Sequence, residues 1–341
     1  MEASTGKVLL SQNPDEALPP ASVTKVMTLL LIMEAIDSGR ISLSDQVTVS
    51  ANAASMGGSQ VYLKEGEQMA VEDLLKSIVI ASANDAAVAL AEYLAGSVSA
   101  FVEQMNKRAS ALGMENTHFE NPTGLDDTAE NHKTSAMDIA IMSRELIGHK
   151  TILEYSSIWM DSIRDGAFGL TNTNRLVRYY TGCTGLKTGS TSKAGFCISA
   201  TAEKNGMSLI CVVMGASTRD ERNEIAKEVL DYGYANYALF VKEASELEPL
   251  SVKGGKEDFC PLASAAFSVV LPKGDIASVE EKIKLPTFLK APVKNGEAVG
   301  KLSFFLNGNE VGSVPITATA SVGKLTFFDL VKRVFAKALL I

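Results

Sequence analysis

The stretch Pro19-Pro20-Ala21-Ser22-Val23-Thr24-Lys25-Val26-Met27-Thr28 decides how the rest of the chain is read. Two prolines precede an apolar run, and together they predict a helix over about Ser22 to Ser38, stopped by Gly39. Residues three apart share a helical face, so the Lys25 amine can reach the Ser22 hydroxyl. At the helix start Ser22 would meet free N–H groups and the positive end of the helix dipole, both of which favour a developing negative charge. A hydroxyl, a base and oxyanion donors are the requirements of acyl transfer. The pattern Ser-x-x-Lys is weak by itself, because it also starts at Ser4, Ser190 and Ser321. Those three sit in glycine-containing turn or strand segments. Taken alone, the motif is better read as Ser22 capping the helix and Lys25 as a solvated first-turn residue.

Two further motifs follow in order. Ser82-Ala83-Asn84 lies between apolar segments that predict helices over Glu72–Ala81 and Asp85–Leu94. That placement aims short polar side chains into a cleft, although Ser-x-Asn recurs at Ser11 and Ser50 and capping is the alternative. Lys187-Thr188-Gly189 occurs once and opens the small-residue run Ser190-Thr191-Ser192-Lys193-Ala194-Gly195. An edge strand there would offer unpaired backbone N–H groups to a substrate; an ordinary turn is the alternative. The three motifs in this order, each in a fitting context, are improbable by chance.

Outward from the motifs, Lys7–Leu10 reads as a strand, Ala100–Leu112 and Ser135–Ile147 as helices, and Val177–Tyr180, Phe196–Ala200 and Ser208–Val213 as strands. Glu221–Phe240 reads as a helix. The order predicts an α/β (α+β) fold, a sheet covered by helices. A break is expected near Ala244-Ser245-Glu246-Leu247-Glu248-Pro249. Beyond it, turn signals such as Lys253-Gly254-Gly255, Pro272-Lys273-Gly274 and Asn307-Gly308-Asn309 predict a small all-β domain. In the tail, Phe327, Leu330, Val331, Val334, Phe335, Ala338 and Ile341 share one helical face, with Lys332, Arg333 and Lys337 away from it.

The net charge of −8 argues against a nucleic-acid partner. The longest apolar run, Val26–Ile36, contains Glu34 and is shorter than the roughly 18 residues of a membrane span. Cys197 and Cys211 lie in strand-like apolar runs and read as free, small core residues, with a disulfide as the alternative. No cysteine or histidine has metal-ligand spacing, so no metal or other cofactor is expected. The start Met-Glu-Ala-Ser-Thr-Gly-Lys lacks a signal-peptide pattern, which leaves a cytosolic chain or an exported one whose signal is not in this sequence.

With these residues in view, the sequence resembles the low-molecular-mass penicillin-binding proteins that act as serine D-alanyl-D-alanine carboxypeptidases. Pro19–Thr28, Ser82–Ala87 and Gly185–Gly189 look like that family's three boxes, and Asn121-Pro122-Thr123-Gly124-Leu125 is similar to a segment it carries between the last two. The resemblance implies a penicillin-binding/β-lactamase-like transpeptidase fold over residues 1–245, a β-sandwich-like domain over 246–325 and a membrane-anchoring amphipathic helix over 326–341. It implies that Ser22 is acylated by the penultimate D-Ala carbonyl, that Lys25 accepts its proton, and that Ser82 and Asn84 relay protons or hold the substrate amide. Lys187 and Thr188 would contact the terminal carboxylate, Gly189 and Ser190 would line the substrate, and the N–H groups of Ser22 and Ser190 would form the oxyanion hole. A downstream arginine supports carboxylate recognition; Arg222 fits that place better than Arg219. The implied partners are peptidoglycan stem peptides ending in D-Ala-D-Ala, β-lactam antibiotics and the outer face of the cytoplasmic membrane, for an exported enzyme. The rival readings are a D,D-endopeptidase, a β-lactamase-like hydrolase, for which Glu130 and Glu145 are the deacylation candidates by position, and a catalytically dead peptidoglycan-binding module, against which all three motifs being intact argues. Two lysines converging on one serine repel, and partial burial adds to that, so one pKa should fall while the other lysine stays charged.

Overall fold

The computed structural model describes residues 1–126 and 129–338, which form two compact units, Met1–Ala235 and Asn236–Ile341. In the first unit the segment Lys25–Asp37 is apolar on nearly every side, and a helix of that kind belongs inside a core. Accordingly Val26, Met27, Leu29, Leu30, Ile32 and Met33 are all fully buried. Helices Asn84–Ala95, Val98–Ala111 and Ala136–Gly148 pack against it, Val71–Ala81 packs on Asn84–Ala95, and Ala136–Gly148 makes the central helix's most extensive helical contact.

The sheet of this unit is antiparallel and three-stranded: Cys183–Thr191 at one edge, Gly195–Lys204 in the centre and Met207–Ala216 at the other edge. Asn205 and Gly206, both at positive φ, close the hairpin between the last two strands, as an Asn-Gly turn does. Lys187 pairs with Ser199 and Thr188 with Ile198, so the motif strand keeps its other edge free. Ser199 is tied to Ser143 of the Ala136–Gly148 helix at 2.7 Å, which fixes the sheet to the helical layer.

Several sequence expectations are corrected. Lys7–Leu10 is not a strand: only a bridge from Glu2 to Leu209 reaches the sheet, and Val8 and Leu10 are exposed. The Glu2 carboxylate gathers Ser4 and Thr5 into a turn, which ends the pairing. Val177–Tyr180 is not a strand either. Asn174 Oδ1 accepts from Leu176 N and starts a single helical turn, Leu176–Tyr179. The helix expected over Glu221–Phe240 is Arg219–Asn236, and Tyr237–Lys242 continues as a strand. Its aromatic and branched residues pair with Phe267–Pro272, a long-range partner that overrides the helical reading.

The second unit holds a six-stranded sheet in the order Glu280–Lys284, Ala298–Leu306, Asn309–Ala318, Phe259–Ser264, Ser245–Lys253, Leu289–Lys290. The segment Ala244–Pro249 therefore lies inside this unit. Its core centres on Phe304, stacked on Phe267 at 4.2 Å and met edge-on by Phe240 at 5.7 Å. The final helix is Phe327–Ala338, with Thr326 capping Asp329 N. Arg333 bonds Asp258 at 2.9 Å and the Lys256 carbonyl, and Asp329 pairs with Lys256. The polar edge thus faces its own domain, while Phe327, Phe328, Leu330, Val334 and Phe335 are exposed. Ile341, assigned to the same stripe, lies outside the described residues. No single helix among the described residues is long and apolar enough to cross a membrane.

Candidate active site

Ser22 does not open an α-helix directly. It lies in a 3-10 turn, Ala21–Thr24, and Lys25 is the first residue of the α-helix. A 3-10 turn has three residues per turn and eclipses i with i+3, so Ser22 and Lys25 stand one above the other. Lys25 Nζ is 2.9 Å from Ser22 Oγ, 2.6 Å from Asn84 Oδ1 and 2.8 Å from the Thr123 carbonyl. Two of these partners are carbonyl oxygens that can only accept. They take two amine hydrogens and leave the third amine position, the one that can hold a lone pair, aimed at the serine hydroxyl.

Each partner is held in turn. Asn84 Nδ2 donates to the Gly57 carbonyl at 2.7 Å, which fixes the amide with its oxygen toward Lys25. Gly58, at φ +75°, packs so closely that a Cβ there would lie 2.8 Å from Asn84 Nδ2. Neither Ser82 nor Asn84 caps a helix through its side chain: Ser82 sits at φ 64° between two helices and lines the cleft. The next residue, Asp85, is fully buried and accepts from the N–H groups of Val61 and Leu63, securing the loop that carries Gly57 and Gly58. Thr123 belongs to an Asx turn in which Asn121 Oδ1 accepts from Thr123 N and Gly124 N.

The Lys187–Gly189 strand crosses directly behind the serine. A Cβ on Gly189 would lie 2.8 Å from Ser22 N and 2.9 Å from the Pro20 carbonyl, so only glycine allows the strand this close. Lys187 is buried, with its Nζ donating to the Thr188 carbonyl at 3.0 Å. Thr188 Oγ1 donates to Thr173 Oγ1 at 2.8 Å. Arg222 is 3% exposed and bonds Asn223 Oδ1 and the Cys197 carbonyl. Ser22, Ser82, Thr188, Ser190, Arg219 and Arg222 all line one cleft of about 510 Å³.

Both lysines are held below the ordinary lysine range. For Lys25 the first cause is burial and the second the charge of Lys187, with Asp85 opposing. For Lys187 burial again leads, followed by Arg222, and the pKa falls to about 7. Mutual repulsion with burial as an addition predicts that one lysine falls. In the structure burial is the larger cause and acts on both.

Residues outside the sequence-predicted set contribute. Thr123, Asp85 and Thr173 are described above. His132 is buried; its Nδ1 accepts from Glu120 N at 3.0 Å, so its Nε2–H donates to Thr24 Oγ1 at 2.7 Å. Burial holds this ring down to about 4. The Asn-Pro-Thr-Gly turn signal marks the Thr123 loop in the sequence and Asp85 falls inside the second box, but nothing local ties Thr173 or His132 to the site. Glu145 pairs with Arg108, and Glu130 lines a separate hollow with His118 and Glu120. Neither is in the cleft. All four cysteines are free, and Cys197, Cys211 and Cys260 are buried.

Residues 1–218 match the family described as D-alanyl-D-alanine carboxypeptidase, and residues 236–324 match the C-terminal domain of penicillin-binding protein 5. The chain is 44% identical over 340 residues to D-alanyl-D-alanine carboxypeptidase DacF of Bacillus subtilis, covering 98% of this chain and 87% of that one. It is 34% identical over 342 residues to DacC of Escherichia coli, covering 97% and 85%. Its fold is similar to the crystal structure of penicillin-binding protein 5 from Haemophilus influenzae, with a TM-score of 0.81 and 34% identity over 95% of this chain and 96% of the other.

Proposed function

The chain belongs to the serine D-alanyl-D-alanine carboxypeptidases of the low-molecular-mass penicillin-binding proteins, and from that premise we propose that Ser22 carries the acyl group, with Lys25 as its base. The observation that supports this most is the Lys25 amine, which is buried, 2.9 Å from the Ser22 hydroxyl and held by two carbonyl acceptors. Neutral Lys25 takes the Ser22 proton as Oγ attacks the penultimate D-Ala carbonyl. The carbonyl oxygen becomes the oxyanion and turns toward the N–H groups of Ser22 and Ser190. The C–N bond then breaks, and the departing D-Ala nitrogen receives a proton through Lys25 and Ser82. Water attacks the resulting ester, gives up its proton by the same route in reverse, and frees Ser22.

The substrate is a peptidoglycan stem peptide ending in D-Ala-D-Ala, and a β-lactam acylates the same serine. Asn84 holds the substrate amide and orients Lys25. Charged Lys187, with Thr188, Gly189 and Arg222, receives the terminal carboxylate. Peptidoglycan lies outside the cytoplasmic membrane, so the enzyme works there, and the exposed apolar face of Phe327–Ala338 rests on the outer membrane surface.

Intact-mass analysis after penicillin, with the adduct mapped to a peptide, tests the assignment. The expected result is one adduct on the peptide containing Ser22 and none in Ser22→Ala, which stays folded. An adduct on Ser4, Ser190 or Ser321 would overturn the reading.

A further inference from the structure

The helix Arg219–Asn236 carries two arginines in its first turn, three residues apart. Side chains at i and i+3 lie on one helical face, about 5–6 Å apart at Cβ. A helix N-terminus favours acidic side chains, and Asp220 and Glu221 fill that role here. Arg219 and Arg222 stand there against the local preference. Both line the cleft that contains Ser22, Thr188 and Ser190.

The two differ in how they are held. Arg222 is fixed in the floor by Asn223 and the Cys197 carbonyl, both neutral acceptors. Arg219 is exposed at the rim. Among the described residues no ion pair is formed by Arg219, Arg222 or Lys187; the neighbouring Glu221 carboxylate is taken by Ser217 N. The like charges are close enough to act on one another, since Arg219 is the second cause, after burial, of the lowering of Arg222 to about 10. Asp220 acts on Arg222 without pairing with it, and a row of cations with no ion-pair partner among the described residues, open at one end, is a receptor for a carboxylate.

We propose that Arg219 is a specificity-determining residue that grips the leaving group's carboxylate from the rim while Arg222 holds it from the floor. This rests on acylation at Ser22 as described above. The rim arginine closes over an anion that Lys187, Thr188 and Arg222 already face, and a neutral leaving group gains nothing from it. Selectivity for a C-terminal carboxylate is therefore shared between a buried guanidinium and a solvated one.

The experiment compares two thioesters of the same N-acyl-D-alanine: one whose leaving group is thioglycolate, the other with a neutral thiol of similar size. Thioesters are reactive enough for the neutral one to be turned over without the carboxylate contact. The quantity read is the ratio of their kcat/KM values in wild type, Arg219→Gln, Arg219→Lys and Arg219→Glu. We expect the ratio to fall about tenfold in Arg219→Gln, the size of one lost charge-assisted hydrogen bond, chiefly through KM. It should fall further in Arg219→Glu and recover in part in Arg219→Lys. A ratio unchanged in all three variants, with penicillin still labelling Ser22, would overturn the role of Arg219 and leave the acylation reading intact. Absence of label on Ser22 in wild type would overturn both.

Discussion

Lys25 donates to two carbonyl oxygens that cannot give a proton back, so only its third position can exchange one with Ser22. A guanidinium stays charged at any usable pH and cannot take that role. Lys25→Arg should lower the rate of penicillin acylation by about 10²–10⁴-fold, the usual worth of a positioned base, and stopped-flow labelling reads it directly. A near wild-type rate would place the base elsewhere. Lys187 behaves differently, because its charge is wanted for binding. Its folded pKa of about 7 lies below its ordinary value of 10.5. The folded state therefore disfavours the charged form, and the destabilisation is full below about pH 7 and gone above about pH 10.5. Lys187→Met should be more stable than wild type at pH 6 by a few kcal/mol in order of magnitude, with the gap closing as pH rises toward 10.5. Urea melts of both proteins across that range measure it. In wild type kcat/KM should be bell-shaped, rising as Lys25 loses its proton and falling as Lys187 loses its own; the two limbs belong to the coupled pair.

At the scale of elements, the site is where three backbones come nearly into contact. The 3-10 turn with Ser22 is flanked by the Lys187–Gly189 strand on one side and the Asn121–Leu125 loop on the other. Gly124, at φ +82°, leaves no room for a side chain: a Cβ would lie 1.8 Å from the Ala21 carbonyl oxygen. Gly124→Ala should therefore push the loop off the turn, move the Thr123 carbonyl away from Lys25 and cost several kcal/mol. Loss of both thermal stability and penicillin labelling is expected, and retention of either at wild-type level would contradict the packing described. The glycine of Lys-Thr-Gly is legible in the sequence as part of a motif. Gly58 is not, and although Gly124 ends the Asn-Pro-Thr-Gly turn signal, the reason no side chain fits at either is not legible, because the atoms that forbid a Cβ belong to segments far away in the chain.

For the whole molecule, the tail presents, among the described residues, the exposed apolar side chains of Phe327, Phe328, Leu330, Val334 and Phe335. Arg333 is already engaged with Asp258, so it adds less attraction to an anionic surface than a free cation, which adds about 1 kcal/mol. Binding to liposomes should then be mostly apolar, with a modest weakening by salt. Co-sedimentation of the full chain and of one ending near Lys324 checks this: the shorter chain should stay in the supernatant. Equal binding by both would remove the anchor.

Across the chain, what the sequence by itself determined was local. The apolar central helix, the Asn-Gly hairpins, the boxes at Ser22, Ser82 and Lys187 and the amphipathic tail all depend on residues within a few positions of one another, where period and turn chemistry govern the outcome. Where a segment's partner lies far off, the tertiary structure decided. Tyr237–Lys242 became a strand because Phe267–Pro272 pairs with it, and Lys7–Leu10 failed to become one because the Glu2 turn ends its pairing with the edge strand. The same holds for the site. The sequence supplies a serine and two lysines, but only folding brings the Thr123 carbonyl to one and Arg222 to the other. Burial then depresses both lysines, an effect of the surrounding core that no spacing encodes.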